Sequence, residues 1–348
     1  MTLSSEMWTG SGEKDDVIVP LEAAENAAHP IDDRRYFEHW YFDAKLRDGH
    51  VVVGFVQTSE LVRRKPGVEM HVYKPDGEKL SIVRSYSKAD VRASEKACDV
   101  EIGGNRCSSE FPSEGFPVHR LHLAEEDMEF DLEFRNLLPG WKPGVGKAVY
   151  SDREFFAWIV PAPRAEVSGT VRFGDTILSA EGTGYHDHNW GVGDMKRIID
   201  HWYWGRIYTD EFTLLYASVN TRKGYDLITK PLMLARGEEI VLSTGEMELT
   251  SGERVFNKAG NRDYPASLDI RVPGRVELRL DVREVIDAHD FIADVPVLRS
   301  RPVKPLVNGI LGRPGYFRFD SDFSLRVELD GRSYGSTGRT LHEMVALR

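Results

Sequence analysis

Short alternating runs of apolar and polar residues recur along the chain, as in Val51–Val56, Met128–Phe134, Phe212–Val219 and Tyr316–Leu329. A period of two is the signature of a half-buried strand. Turn signals separate the runs: Asp48-Gly49, Pro75-Asp76-Gly77, Pro139-Gly140 and Asp330-Gly331. Long stretches of helical periodicity are hard to find. The 31 glycines and 17 prolines are spread through the sequence rather than clustered, which fits many turns and no disordered tract. The pattern predicts an all-β chain, built as sandwich or barrel.

An internal repeat sharpens that picture. Glu38-His39-Trp40-Tyr41-Phe42 returns as Asp200-His201-Trp202-Tyr203-Trp204, at an offset of 162 residues and without a gap. An aspartate follows each copy six residues later, at Asp48 and Asp210, ahead of an apolar strand. A tryptophan among the identities argues for duplication, hence two β units in tandem. The join is expected near Pro161-Ala162-Pro163-Arg164, where a proline pair would end a strand. This gives an N-terminal extension at 1–30, a first β domain at 31–163, and a second at 164–348 that carries the His-Asp-His-Asn-Trp segment.

Composition narrows the partners. Hydrophobic residues make up 41% of 348, enough for a sizeable core, and 29% charged residues argue against disorder. A net charge of −11 with no basic run disfavours nucleic acid and anionic membrane surfaces. Met1–Asp16 has no apolar leader, and no stretch approaches the ~20 apolar residues that span a bilayer, so no stable membrane insertion is expected. Cys98 and Cys107 flank Gly103-Gly104; in a two-residue hairpin Cys107 faces Val100 and Cys98 faces Ser109, which suits two free thiols better than a disulfide. A cytoplasmic location follows from that reading. The oligomeric state is left open.

The densest chemistry lies in Gly182–Gly191. If this stretch is extended, His186, His188 and Trp190 share one face, and Asp187 and Asn189 the other. Two histidines beside a carboxylate suit proton chemistry, with a neighbour such as Asp187 orienting the imidazole network if the segment bends. Metal binding is not expected: no third ligand follows the histidine pair, and Asp287, His289 and Asp290 have no ligand spacing. Glu38 shares a face with Trp40; desolvation there would raise its pKa and make it an acid near neutrality. Trp202, Trp204 and Arg206 share a face of their strand, and Tyr216 and Ser218 share a face of the next. With Trp40 and Trp190 the tryptophans would wall a pocket for an apolar ligand, and Tyr216 and Arg206 would hold its polar end. No nucleophile elbow, phosphate loop or dinucleotide fingerprint is present in the sequence.

The Glu-x-Trp-Tyr strand, the Gly-Tyr-His-Asp-His-Asn-Trp-Gly block (184–191) and the Trp-x-Trp-Gly-Arg block (202–206) together resemble the hydroxyneurosporene synthase / AttH-like group. That group includes carotenoid 1,2-hydratases, kievitone hydratase-like enzymes and lipocalin-like Diels–Alderases. The resemblance runs from about Arg35 to the Glu343 region. It implies two lipocalin-like β-barrel domains, an apolar small-molecule substrate and no metal or organic cofactor. It also implies hydratase or cyclase chemistry, with His188, Trp190 and Tyr216 at the assisting positions. The group's acid position falls at Ser218, and a serine cannot protonate an alkene, so Glu38 or Asp187 is the expected replacement. These readings give a cofactor-independent lyase or isomerase, with a non-catalytic lipocalin-like carrier as the alternative. The expected catalytic residues are His188, Glu38, Asp187 and Tyr216; Trp40, His186, Trp190, Trp202, Trp204, Arg206 and Ser218 are expected to bind substrate.

Overall fold

The computed structural model describes residues 4–5, 18–225, 227–291 and 313–347. The period-two pattern becomes strand: along Met128–Asn136, the side chains of Met128, Phe130, Leu132 and Phe134 are buried, while Asp131 and Arg135 between them are exposed. The described residues form two compact units, one made of 18–193 with 235–240, the other of 194–234 with 241–347.

The first unit is built on one antiparallel sheet. Its main strands are β1 (Tyr36–Leu46), β2 (Val51–Ser59), β3 (Gly67–Tyr73), β4 (Lys79–Ser85), β5 (Val91–Ala93), β6 (Asp99–Ile102), β7 (Asn105–Glu110), β8 (Val118–Glu125), β9 (Met128–Asn136), β10 (Phe155–Phe173) and β11 (Gly182–Val192). They run in the order β4-β3-β2-β1-β11-β10-β9-β8-β7-β6-β5. The sheet curls until distant strands meet. A Cβ at Gly54 on β2 would lie 2.8 Å from Leu121 Cδ2 and 3.0 Å from Leu123 Cδ1 on β8, so only a residue without a side chain lets the two faces close. The curled face packs Trp40, Phe42, Val56, Met70, Leu121 and Phe130 into one core. Each such side chain contributes about 1.5–3 kcal/mol by leaving water.

The second unit repeats the plan with β12 (Ile199–Tyr208), β13 (Phe212–Thr221), β14 (Leu232–Arg236), β15 (Glu239–Thr244), β16 (Glu248–Ser251), β17 (Ser267–Val272), β18 (Val276–Asp290), β19 (Gly315–Leu329) and β20 (Arg332–Ala346). Their order is β15-β14-β13-β12-β20-β19-β18-β17-β16. In each unit the first long strand is fourth in the sheet, pairing with its hairpin partner on one side and with the last strand of its unit on the other. The chain is all-β, with two tandem lipocalin-like sheets related by duplication. Among the described residues no helix is long and apolar enough to cross a membrane. Val100 pairs with Cys107 and the Ser109 N–H donates to the Cys98 carbonyl, as the hairpin reading expects, and both thiols are free and buried.

Three expectations change. Pro161 and Pro163 do not end a domain. They sit inside β10, where its register with β11 shifts between Ile159 and Ala162 and again between Ala162 and Ala165; residues without an N–H are absorbed as bulges in a continuous strand. The His-Asp-His-Asn-Trp segment therefore belongs to the first unit, on β11 between β1 and β10, and residues 18–30 of the expected extension belong there too. Finally, the two copies of the repeated pentapeptide lie in opposite phase. Trp40 enters the first core, but in the second unit Tyr203 and Ile207 face the core, leaving Trp202 and Trp204 on the other side. A one-residue slip turns every side chain of a strand over.

Candidate functional site

Cross-strand register places the chemistry. On β1 and β11, Glu38 pairs with Trp190, Trp40 with His188 and Phe42 with His186. Directly opposed residues project to the same face, so all six line the inner side of the sheet. Asp187 pairs with Tyr41 and Asn189 with His39 on the other side. No bend intervenes, and Asp187 does not orient His188.

Glu38 and His188 are both without exposed surface, and His188 Nε2 lies 3.2 Å from Glu38 Oε1. The His29 backbone N–H donates to the same oxygen at 2.7 Å, and His29 Nδ1 lies 3.4 Å from it. Oε2 accepts from the Thr58 hydroxyl at 2.9 Å and from the Tyr36 hydroxyl. Burial alone would raise the pKa of this carboxyl, as the sequence suggests. The hydrogen bonds from His188, His29 and Tyr36 outweigh it and hold the pKa down at about 2. Glu38 is thus an ionised partner rather than an acid near neutrality. For His188, burial lowers the pKa and Glu38 opposes the fall. With Glu38 ionised, its Nε2 partner carries the hydrogen, which fixes the imidazole tautomer.

Aromatic rings hold the imidazole in place. His188 stacks on Trp40 at 4.2 Å and 17°, and Trp190 lies 4.8 Å away on a tilt. His29 in turn stacks on Trp190 at 4.1 Å and 4°. A segment before β1, with a single 3₁₀ turn at Ala23–Asn26, delivers His29. It is tied down by Trp40 Nε1 donating to the Asn26 carbonyl and by the Lys142–Glu25 ion pair.

His186 is a structural neighbour of this pair. Its ring stacks on Phe42 at 3.9 Å, with Nδ1 2.9 Å from the Tyr41 carbonyl and Nε2 3.2 Å from Asn26 Nδ2. Burial pushes its pKa well down, so it stays neutral, a donor on one side and an acceptor on the other. Asp187 sits in a separate buried cluster, accepting from Trp158 Nε1 (3.1 Å), the Tyr185 hydroxyl (2.9 Å) and Asn189 Nδ2 (2.8 Å). Burial raises its pKa to about 7, and nearby Asp43 adds to the rise. Trp202, Trp204, Arg206, Tyr216 and Ser218 belong to the second unit. Tyr216 is a core residue there, its ring filling the notch above Gly205. Ser218 is buried, 3.4 Å from Asn220 Nδ2, and Arg206 lies over the rings of Trp204 and Tyr208 at 5.7 and 5.3 Å.

Sequence reasoning missed His29, Tyr36 and Thr58. Tyr36 was recoverable, because residues i and i+2 of a strand share a face. His29 carries no periodic signal. The donor atoms of His29, Glu38 and His188 all lie within 4.8 Å of one another, close enough to meet one cation. Besides His188 Nε2, three donors contact the carboxylate: the His29 backbone N–H and the Tyr36 and Thr58 hydroxyls.

Comparison with known proteins fixes the family. A family model described as Domain of unknown function (DUF7064) matches residues 22–278. The chain belongs to that family. This DUF7064 chain is 22% identical over 242 residues to a Hydroxyneurosporene dehydrogenase of Chlorobaculum tepidum, a match covering 59% of the chain and 62% of that protein. Its fold is that of solved structures of low identity. A protein described as AttH from Nitrosomonas europaea superposes with a TM-score of 0.63 at 16% identity, covering 94% of this chain and 96% of that one. CghA with Sch210972 gives 0.61 at 14%, with 97% of both chains covered. Kievitone hydratase from Nectria haematococca gives 0.58 at 13%, with 97% and 98% covered.

Proposed function

We propose that the chain is a cofactor-independent lyase or isomerase acting on an apolar, unsaturated terpenoid or polyketide-like small molecule. His188 is the proton-transfer group, and Glu38 orients its ring and stabilises the imidazolium that forms. One observation carries the reading: a buried histidine–carboxylate contact of 3.2 Å, with the imidazole held against Trp40 and Trp190. A carboxylate behind a histidine is the arrangement that makes imidazole an effective general base. With Glu38 ionised, the pair enters the reaction as a base. It suits removal of a proton from water adding to a conjugated alkene, from carbon beside a carbonyl in a dehydration, or from a polyene during cyclisation. The indole faces supply the apolar wall, each contact being worth about 0.5–1.5 kcal/mol. The names of the similar proteins, a hydratase among them, agree with such chemistry. Two buried free thiols suit a reducing compartment such as the cytoplasm.

A carrier is the second reading, and the segment lying over the pair favours it, since a sealed interior suits storage. Untargeted mass spectrometry of apolar extracts, incubated with wild type or with His188→Ala, separates the two. A product differing by one water, made by wild type alone, identifies a hydratase or dehydratase. An isomeric product at unchanged mass identifies a cyclase or isomerase. A ligand that co-purifies unchanged with both proteins, with no product from either, refutes the enzyme.

A further inference from the structure

Two ring nitrogens and a carboxylate oxygen converge where the segment ahead of β1 meets the sheet. His188 Nε2 lies 3.2 Å from Glu38 Oε1, and His29 Nδ1 lies 3.4 Å from the same oxygen. Oε1 already accepts from the His29 backbone N–H at 2.7 Å, so its remaining lone pair serves two imidazoles at once. A charge-assisted N–H···O contact closes to about 2.7–2.9 Å, and neither ring comes that near. His29 Nδ1 is buried and makes no hydrogen bond. Ligand atoms at ~2.1 Å from a tetrahedral zinc ion, by contrast, stand about 3.4 Å apart. The surroundings also suit a metal, whose ligands are held by a second layer of hydrogen bonds and packing. Glu38 Oε2 accepts from the Thr58 and Tyr36 hydroxyls, His188 stacks on Trp40, and His29 stacks on Trp190. Glu38 and His188 have no exposed surface, while the His29 side chain is 30% exposed and gives an ion its way in.

We propose that His29, Glu38 and His188 form a binding site for zinc or a divalent transition-metal ion of the same ligand preference. Two imidazoles and one carboxylate are a zinc donor set, with the fourth position left to water. The ion takes His29 Nδ1, Glu38 Oε1 and His188 Nε2. His29 binds as the neutral ring, its hydrogen on Nε2. At His188 the ion replaces the Nε2 hydrogen, which passes to Nδ1 of the same neutral ring. No net proton is released, and nothing is oxidised or reduced. With a hydrogen on Nδ1, His188 has no lone pair left for a substrate proton, so the bound ion inhibits the proton-transfer form of the pair. This goes beyond the proposed function, and the geometry of the site does not depend on that activity. In the second sheet the place of Glu38 and Trp190 is taken by His201 and Ala346. Without that carboxylate, one ion per chain is expected.

Equilibrium dialysis of the full chain against zinc counts bound ions, and cobalt(II) in place of zinc reports its ligands by absorption. Wild type should bind one ion, with the visible bands of four-coordinate cobalt and no cobalt–thiolate band. His29→Ala should weaken zinc binding by roughly 100-fold or more, the upper end of what losing even a supporting partner costs. His29→Cys should restore binding and add a cobalt–thiolate band, which a merely loosened segment would not do. Wild type that binds no zinc, equal affinity in wild type and His29→Ala, or His29→Cys without the band would each overturn the site. A thiolate band in wild type would place the ion at Cys98 and Cys107 and overturn it as well. Saturating zinc should abolish any product that the mass spectrometry identifies, and full turnover in zinc-loaded protein would overturn the inhibitory role. If no protein gives product, the proposed activity falls, while dialysis and the cobalt spectra still decide the site.

Discussion

The two sheets offer the same six inner positions and fill them differently. Where the first unit has Trp40 facing His188, the second has Tyr203 facing Met344; where the first has Phe42 facing His186, the second has Gly205 facing His342. The Glu38–Trp190 pair becomes His201–Ala346. One histidine survives in both, and it is the one with a structural duty. His342 is buried and hydrogen-bonded to Ser321 at 2.8 Å, as His186 is to Asn26. The histidine that disappears is His188, together with its carboxylate. Duplication thus supplies an internal control: the shared scaffold does not need the Glu38–His188 pair, so the pair's presence in one sheet calls for another reason.

Substitutions at matched positions test this most sharply. His188→Ala should lower turnover of whatever substrate the mass spectrometry identifies by about 10²–10⁴-fold, whereas Met344→Ala should cost stability, about 2–5 kcal/mol, and leave the rate constant of the folded protein alone. Comparable loss of kcat in both would erase the distinction between the sheets. Next in size, Glu38→Ala should destabilise by about 3–5 kcal/mol, because it strands several buried donors at once. His201→Ala, at the matching half-buried place, should fall within about 1 kcal/mol of wild type by urea denaturation.

The third test uses pH. Because the folded-state pKa of Glu38 is depressed to about 2, its contribution is complete above the ordinary carboxylate range. It is lost as pH falls through that range toward 2. The span corresponds to about 3 kcal/mol. Denaturation curves between pH 6 and pH 3 should therefore converge for wild type and Glu38→Gln; parallel curves would mean the carboxylate is not held ionised. The smallest effect concerns the scaffold. Gly54→Val should cost about 1–3 kcal/mol by crowding Leu121 and Leu123, and an unchanged melting temperature would show that β2 and β8 do not meet.

Much of this was legible in the sequence, and the reasons differ by residue. Alternation alone puts Glu38 with Trp40 and His186 with His188 and Trp190, and the all-β plan follows from the same periodicity. Alternation could not say that Glu38 and Trp190 are cross-strand partners, since pairing register is a property of two strands. Alternation misreads the direction of the Glu38 pKa because its donors come from four places: the segment ahead of β1, the start of β1, the end of β2, and β11. His29 was invisible for the same reason. For the face of Trp202, Trp204 and Arg206, the repeated motif misleads, because the second copy entered its sheet one residue out of phase.

The unbroken run of β10 through Pro161 and Pro163 bears on how this protein can be dissected. Its 19 residues pair with β9 along one edge and with β11 along the other. A fragment ended at residue 163, where the proline pair invites a cut, would lose β11 altogether. The outer edge of β1, in the middle of the first sheet, would then lie open as an unpaired template for other chains. Such a fragment should be recovered from aggregates, and what it failed to bind or convert would say nothing about the intact molecule.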